Sequence, residues 1–169
     1  MGSLLHSVLI PAVMAVCLLF SAACGGGSDP LAQADAAQTS LSSGDYPDAR
    51  AQAEAGLKTA GSTDKNLAWR LERIRVEAVA KQGDGNEVVA SMERLAKSFP
   101  AQCDAAFYSK VGGSLAQVGK GQSALDVAHA GQQRFPDRKT DFDALIAELK
   151  QSATGDPELT AKLKSLGYL

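Results

Sequence analysis

The stretch DAAFYSKVGGSLAQVGKGQSALDVAHAGQQRFP, residues Asp104–Pro136, contains the pattern that decides the fold. Its centre, Gly119-Lys120-Gly121, separates two segments with small and apolar residues at helical spacing. Its end, Phe135-Pro136, closes the second segment, because proline cannot continue a helix. The stretch therefore predicts two helices joined by a glycine turn.

The same two landmarks occur earlier in the chain. Gly83-Asp84-Gly85 lies 36 residues before the central turn, and Phe99-Pro100 lies 36 residues before Phe135-Pro136. A further turn of this kind, Gly44-Asp45-Tyr46, lies 39 residues before the Gly83 turn. A period in this range is typical of arrays of helix pairs. The sequence therefore predicts repeated units, each consisting of two helices.

The segments between the turns have the apolar spacing of helices. Apolar residues recur at steps of three and four in two of them: Leu67, Leu71, Ile74 and Ala78 in one, and Val88, Met92, Leu95 and Phe99 in the other. No segment alternates apolar and polar residues for long enough to predict a strand. We therefore expect an all-α fold.

Seven positions of the opening stretch resemble the tetratricopeptide repeat (TPR), whose pattern is W-x2-L-G-x2-Y, then A-x3-F, then P. They are Tyr108, Val111, Gly112, Leu115, Ala124, Ala128 and Pro136. The preceding unit fits the pattern less closely, with Glu72, Arg75, Val76, Val79, Val88, Met92 and Pro100. The resemblance implies a TPR-like α-solenoid, in which antiparallel helix pairs stack across residues 30–154.

The C-terminal residues are expected to cover the end of this array. A helix should follow Pro136, with Thr140 or Asp141 as its N-cap. Residues 155–169 should form one short helix and a tail after the break at Gly155-Asp156-Pro157. A stacked array leaves an apolar end that needs a cap, so we interpret both helices as capping helices. The apolar face of the first one would consist of Phe142, Leu145, Ile146 and Leu149.

The N-terminal region is typical of a secretory signal. From Leu4 to Ala23 the chain is mostly apolar and has no acidic or basic residue except the histidine at position 6, and Ser21-Ala22-Ala23 then precedes Cys24. This segment resembles the lipobox of bacterial lipoproteins, which implies a signal peptide at residues 1–23 and a lipidated Cys24. Residues 24–29 would then be a flexible, glycine-rich tether.

Two alternatives remain open for this region. Ser21 and Ala23 also fit cleavage by ordinary signal peptidase, which would give a secreted protein without lipid. The apolar stretch is also long enough for an uncleaved membrane anchor. The lipoprotein resemblance implies a location in the cell envelope, and Gly25 after the cysteine resembles an outer-membrane address in Gram-negative lipoproteins. The folded part would then face the periplasm.

One polar stripe is a candidate binding surface. Arg70, Arg73, Glu77 and Lys81 share a helical face in the second unit. In TPR proteins, the first helix of each pair lines a concave groove that holds peptides. The resemblance therefore implies these groove residues: Arg70, Arg73 and Glu77 in the second unit, and Ser109, Gly113 and Ala116 in the third. The simpler alternative is a solvated face with an Arg73–Glu77 ion pair at i,i+4.

Patterns for catalysis or metal binding are missing from the sequence. His129 is the single histidine after the signal region, and we expect it to lie on the surface without further metal ligands around it. The segment from Gly119 to Ala124 fits G-x-G-x-x-A, but it follows a predicted helix rather than a strand, which favours a turn over a dinucleotide site. Cys103 is expected to be a buried structural thiol, with a redox or intermolecular role as the alternative.

The near balance of acidic and basic residues limits the classes of molecule that the chain is expected to bind. The chain has 17 Lys and Arg residues and 19 Asp and Glu residues, a net charge of −2, so no overall field points to nucleic acid. We expect a non-catalytic scaffold or assembly factor, without metal or cofactor, that binds another envelope protein or peptide and is held at the membrane by lipid. The alternative is a structural spacer in the periplasm that associates with copies of itself through its terminal helices.

Overall fold

The structure, a computed structural model, describes residues 29–60 and 64–169. This part of the chain consists of helices, turns and loops without a strand, so the expected all-α fold is confirmed. The predicted signal peptide, Cys24 and most of the tether lie outside the described residues. The α-helices are α1 (Pro30–Ser43), α2 (Tyr46–Ala60), α3 (Lys65–Gln82), α4 (Gly85–Ser98), α5 (Ala105–Gln117), α6 (Gly121–Arg134), α7 (Asp143–Ser152) and α8 (Pro157–Ser165). A 3₁₀ segment, Pro136–Phe142, joins α6 to α7.

The three predicted glycine turns join α1 to α2, α3 to α4 and α5 to α6. Gly44, Gly83 and Gly119 have φ values of 85°, 79° and 75°, a left-handed conformation that costs glycine little. The backbone N–H groups of Gly44 and Gly83 donate to carbonyls in the last turns of α1 and α3. The predicted Phe-Pro endings are also confirmed, because α4 and α6 each end one residue before the phenylalanine.

The two helices of each pair run antiparallel. Thr59, near the end of α2, donates a hydrogen bond of 3.0 Å to Gln33, near the start of α1. In the third pair, a Cβ added to Gly112 of α5 would lie 3.5 Å from the carbonyl oxygen of Ala124 at the start of α6. These two small residues therefore allow α5 and α6 to approach closely.

The pairs lie side by side in two rows of helices. α3 contacts α1 and α5, and α5 contacts α7; in the second row, α6 contacts α4 and α8. Several side-chain hydrogen bonds along the rows join residues 35 or 36 apart in sequence: Asp35 with Arg70, Lys81 with Gln117, and Asp126 with Lys162. The last two separations equal the 36-residue spacing of the later landmarks, whereas the first is shorter than the 39 residues between the first two turns.

Two core clusters share α3. One side of this helix, with Leu71, Ile74 and Ala78, packs against the alanine-rich helices α1 and α2. The other side, with Val76 and Val79, faces a larger cluster that extends to α8. Five of the seven motif positions are buried in that larger cluster: Tyr108, Val111, Leu115, Ala124 and Ala128. They are core residues that hold the helices together.

The predicted N-cap of α7 is wrong. Pro136 starts a tight 3₁₀ segment that runs into the helix, so α7 begins without a capping side chain. Thr140 lies inside the 3₁₀ segment, and Asp141 instead forms an ion pair of 2.6 Å with Arg138. The predicted apolar face is confirmed, because its four residues, Phe142, Leu145, Ile146 and Leu149, are all buried.

The turn before α8 is a fourth member of the series of glycine turns. The sequence analysis predicted a break there but did not assign it to the series. Gly155 has a φ of 99°, and Asp156 accepts a hydrogen bond of 2.9 Å from the backbone N–H of Leu159. The turn lies 36 residues after Gly119-Lys120-Gly121, but Pro157 stands where the earlier turns have glycine or tyrosine. α8 therefore adds one more member to the second row, packed on α6.

Candidate protein-binding surface

The stripe predicted on α3 lies on one face of that helix. Arg70, Arg73, Glu77 and Lys81 follow one another at steps of three, four and four residues. The two arginine side chains are about one-third exposed, whereas the Glu77 side chain is only 8% exposed. We name these four residues the α3 strip.

The α3 strip is hydrogen-bonded to α1. An Arg70 guanidinium nitrogen lies 2.6 Å from a carboxylate oxygen of Asp35, and Arg73 donates to the amide oxygen of Gln38 at 3.0 Å. Both bonds cross between the first helices of neighbouring pairs. Because the strip is tied to its neighbour, its long side chains are held along the surface.

The α3 strip is also hydrogen-bonded to α5. Lys110 donates to Glu77 at 2.8 Å, and Lys81 donates to the amide oxygen of Gln117 at 2.7 Å. The polar surface thus spans three helices, α1, α3 and α5. We name it the polar face; its residues are Asp35, Gln38, Arg70, Arg73, Glu77, Lys81, Ser109, Lys110, Gly113, Ala116 and Gln117.

Glu77 lies at the centre of the polar face. Its two carboxylate oxygens accept from Arg73 at 3.1 Å and from Lys110 at 2.8 Å. A carboxylate removed from water needs such partners, since an unpaired buried charge is costly. The Arg73–Glu77 pair expected for a plain solvated face is present, but that alternative does not account for the bonds to α1 and α5.

The α5 part of the polar face carries small side chains. Ser109 and Ala116 are half-buried, and the Ser109 hydroxyl donates to the carbonyl oxygen of Asp141 at 3.1 Å. A Cβ added to Gly113 would meet no atom within 4 Å. The surface therefore has an open, shallow area next to the charged side chains of α3.

The polar face has more positive than negative groups. Four cations, Arg70, Arg73, Lys81 and Lys110, face two carboxylates, Asp35 and Glu77. The whole chain has the opposite balance, with a net charge of −2. A local excess of cations attracts acidic groups and increases their rate of encounter.

A second ionic cluster, which the sequence analysis missed, lies between α3 and α4. Arg75, only 7% exposed, donates to Glu72 at 3.0 Å, to Glu87 at 2.7 Å and to the Ser91 hydroxyl at 2.9 Å. Glu87 also forms an ion pair with Arg50 of α2. The sequence signal was the polar pair at Glu72 and Arg75, at positions where the repeat pattern has apolar residues. Their mutual pairing makes burial possible.

Cys103 is buried, as predicted. Burial raises the pKa of its thiol to about 11, so the reactive thiolate is scarce at neutral pH. Burial likewise raises the pKa of the neighbouring Tyr108 to about 12. The thiol thus behaves as a small apolar core group, and the geometry gives no support to the redox alternative.

His129 lies at the surface and is partly exposed, but its ring also makes two hydrogen bonds that were not predicted. Its Nδ1 lies 3.0 Å from the Tyr168 hydroxyl, and its Nε2 lies 2.8 Å from the Gln133 amide nitrogen. The Tyr168 hydroxyl donates to Gln132 at 2.6 Å, so we assign the ring proton to Nδ1. Tyr168 comes from the C-terminal tail, which the local sequence around His129 does not reveal.

The glycine-rich segment at the start of α6 is a turn between two helices, as expected. α5 precedes it, Gly119 has positive φ, and Lys120 occupies the N-cap position of α6. Within residues 29–60 and 64–169, no group of three or more His, Cys, Asp and Glu side chains is arranged to hold a metal ion. In the same part of the chain, no helix is long and apolar enough to cross a bilayer.

A scan against protein-family models, a search of curated proteins and a search of solved structures found no match to this chain.

Proposed function

We propose that this chain is a lipid-anchored protein of the bacterial cell envelope that binds a segment of another envelope protein on its polar face. The helix pairs would form a TPR-like array, with α1, α3 and α5 lining its groove. The observation that carries the proposal is the polar face itself. Its side chains are fixed by hydrogen bonds across three helices, and it has an excess of cations beside an open area at Gly113.

The charge of the polar face favours a partner segment with acidic side chains. Lys81 has an amide rather than a carboxylate as its partner, and the Lys110 side chain is 55% exposed. Both cations therefore have capacity for a further hydrogen bond to a carboxylate. Because the surface is already ordered, binding would cost little side-chain entropy on this side of the interface.

Anchoring would act through Cys24 and the glycine-rich tether. Two or more acyl chains hold a protein stably at a membrane, whereas one gives only marginal attachment. A tethered binding face has a raised effective concentration toward a partner in the same membrane. The role would be that of an accessory or assembly factor, without catalysis.

The proposal is tested by amine-reactive crosslinking in the native host, followed by purification from detergent-solubilised membranes and mass spectrometry. We expect one recurrent partner, crosslinked at Lys81 or Lys110, whose crosslink to Lys81 also disappears when Lys110→Glu reverses the charge at position 110; the Lys110 crosslink itself is lost with the amine. The intact mass of the same sample should include acyl chains on Cys24. A partner that is captured equally well by the Lys110→Glu variant would contradict the binding face, and an unlipidated mass would contradict the anchor.

A further inference from the structure

α8 is joined to the rest of the molecule by a short hinge. Residues 153–156 form a turn in which the Asp156 N–H donates to the Ala153 carbonyl at 3.0 Å. Gly155 has a φ of 99° within this turn, and a Cβ built on it would meet no atom within 4 Å. The Thr160 hydroxyl also donates to the Ala153 carbonyl at 3.0 Å. These few bonds fix the direction in which α8 leaves α7.

α8 is seated on α6. Lys162 pairs with Asp126 at 2.5 Å, and Glu158 accepts from Gln122 at 2.7 Å. Leu159 and Leu163 are buried. Leu159 lies where α6 begins with a glycine: a Cβ on Gly121 would come within 2.8 Å of it. The surface of α6 under α8 therefore has a specific shape and charge.

α8 differs from the other helices in how little of the molecule depends on it. α6 occupies the matching position on α4, where Ser123 packs against Gly85 at the start of that helix. However, α6 also contacts α5 and α7, and its neighbours in the row, α4 and α8, cover it on both sides. α8 stands at the end of its row and packs mainly on α6. α8 would leave α6 together with the tail that follows it, because the Tyr168 hydroxyl lies against His129 and donates to Gln132 of α6; no contact among α1 to α7 is made through α8 or this tail.

We propose that α8 is an exchangeable helix, and that two copies of this chain associate by placing α8 of each copy on α6 of the other. The exchanged dimer repeats every contact of the α6–α8 interface, so its formation requires only that the hinge opens. Pro157 prevents α7 and α8 from merging into one helix, because proline disfavours a helical conformation in the residue before it. The open hinge is therefore extended. This proposal does not depend on the polar face or on the anchor.

The first test uses two glycines with similar backbone conformations. Gly155 lies in the hinge, and Gly167, with a φ of 78°, lies beyond α8; neither has an atom within 4 Å of an added Cβ. Valine at either position strains the positive φ: at Gly155 opening of the hinge relieves the strain and frees α8, whereas at Gly167 release of the last two residues relieves it and leaves α8 in place. Sedimentation of the chain from residue 24 onward, with Cys24→Ser to remove the lipid, measures dimerisation. We expect Gly155→Val to strengthen the dimer about 100-fold, since two hinges open and each contributes about tenfold. Gly167→Val should leave it unchanged.

The second test identifies the exchanged interface. Asp126→Lys and Lys162→Asp each place like charges in the α6–α8 interface of one chain. When the two variants are unfolded, mixed and refolded together, exchange of α8 pairs opposite charges in both interfaces. We expect a heterodimer in the mixture, and a monomer rescued in the chain that carries both substitutions.

Two results would overturn the proposal. One is a failure of both Gly155→Val and the mixed variants to dimerise. The other is a dimer that persists in a chain ending at Ser152, because such a dimer uses another surface.

Discussion

Gly112 and Gly113 are neighbours on α5 with opposite surroundings. A Cβ on Gly112 would lie 2.6 Å from the Leu145 side chain, whereas a Cβ on Gly113 would meet no atom within 4 Å. The first glycine is required by packing, and the second is not. The sequence alone had assigned them different roles: Gly112 to the repeat pattern and Gly113 to the groove.

We expect the two alanine substitutions to change stability in opposite directions. Gly113→Ala should raise the free energy of unfolding by about 0.5 to 1 kcal/mol, because alanine is the better helix former. Gly112→Ala should lower it by about 1 to 3 kcal/mol, because the core around Leu145 must shift. Urea unfolding followed by the fluorescence of Trp69, which packs against Phe107, measures both values. Equal effects at the two positions would contradict this account of α5.

The pairing of Glu77 should be visible in stability. Glu77→Ala leaves Arg73 and Lys110 without their shared carboxylate, but both cations are partly exposed and can be solvated. We therefore expect a loss of about 1 to 2 kcal/mol in the free energy of unfolding, less than for a fully buried pair. Glu93→Ala, at an exposed position of α4, is the matched control and should change it by less than about 0.5 kcal/mol. A Glu77 effect as small as that control would show that the network contributes no stability.

Cys103 should make the protein less stable at high pH. Burial raises the pKa of its thiol from 9.0 to about 11, so the folded chain holds this proton more tightly than the unfolded chain does. The contribution of the protonated thiol to the free energy of unfolding is complete below pH 9 and is lost as the pH rises toward 11. The loss reaches about 2 to 3 kcal/mol. Unfolding titrations from pH 8 to pH 11 should show a steeper fall for the natural chain than for Cys103→Ala. Parallel curves would mean that the thiol titrates normally.

At the scale of helices, α6 differs from its counterparts at the N-cap. Asp84 and Asp156 cap α4 and α8 through their side chains, but Lys120 makes no capping bond at the start of α6. Lys120→Asp should supply the missing acceptor and raise the free energy of unfolding by about 1 kcal/mol. Asp84→Ala should lower it by a similar amount. The expectation for α6 is wrong if Lys120→Asp has no effect while Asp84→Ala has its full cost.

Helix boundaries were predictable wherever local chemistry decides them. Asp29, Asp84 and Gly83 are cap and turn residues whose preference is set by their own side chains, and the structure has helix ends at each. The start of α7 was not predictable in this way. A 3₁₀ segment leads into it, and the packing of Phe142 against Gly131 determines its path. That contact depends on where α6 lies, which no local pattern specifies.

At the scale of the whole molecule, residues that meet between neighbouring pairs are separated by about one repeat period. Residues 35 or 36 apart are hydrogen-bonded along both rows of helices, as Arg70 with Asp35 and Lys162 with Asp126 show. The polar face could therefore be located in part from α3 alone. Its extent could not, because Lys110 and Gln38 join it only through the packing of neighbouring pairs. The packing of α8 on α6 was not predicted, because Pro157 stands where the first three turns have glycine or tyrosine. The turn at Gly155 was therefore not recognised as the fourth of the series.

The central claim is that the polar face binds a partner, and a photo-crosslinking side chain at Gly113 tests it most directly. The position is open and lies in the α5 part of the polar face, and the same side chain at Ala130, an exposed residue of α6 in the second row of helices, is the control. Irradiation in the native host, followed by mass spectrometry of the crosslinked product, would identify what lies on each surface. The account predicts one partner crosslinked from position 113, none from position 130, and loss of that product with Lys110→Glu. The same products from both positions, or none from position 113, would contradict it.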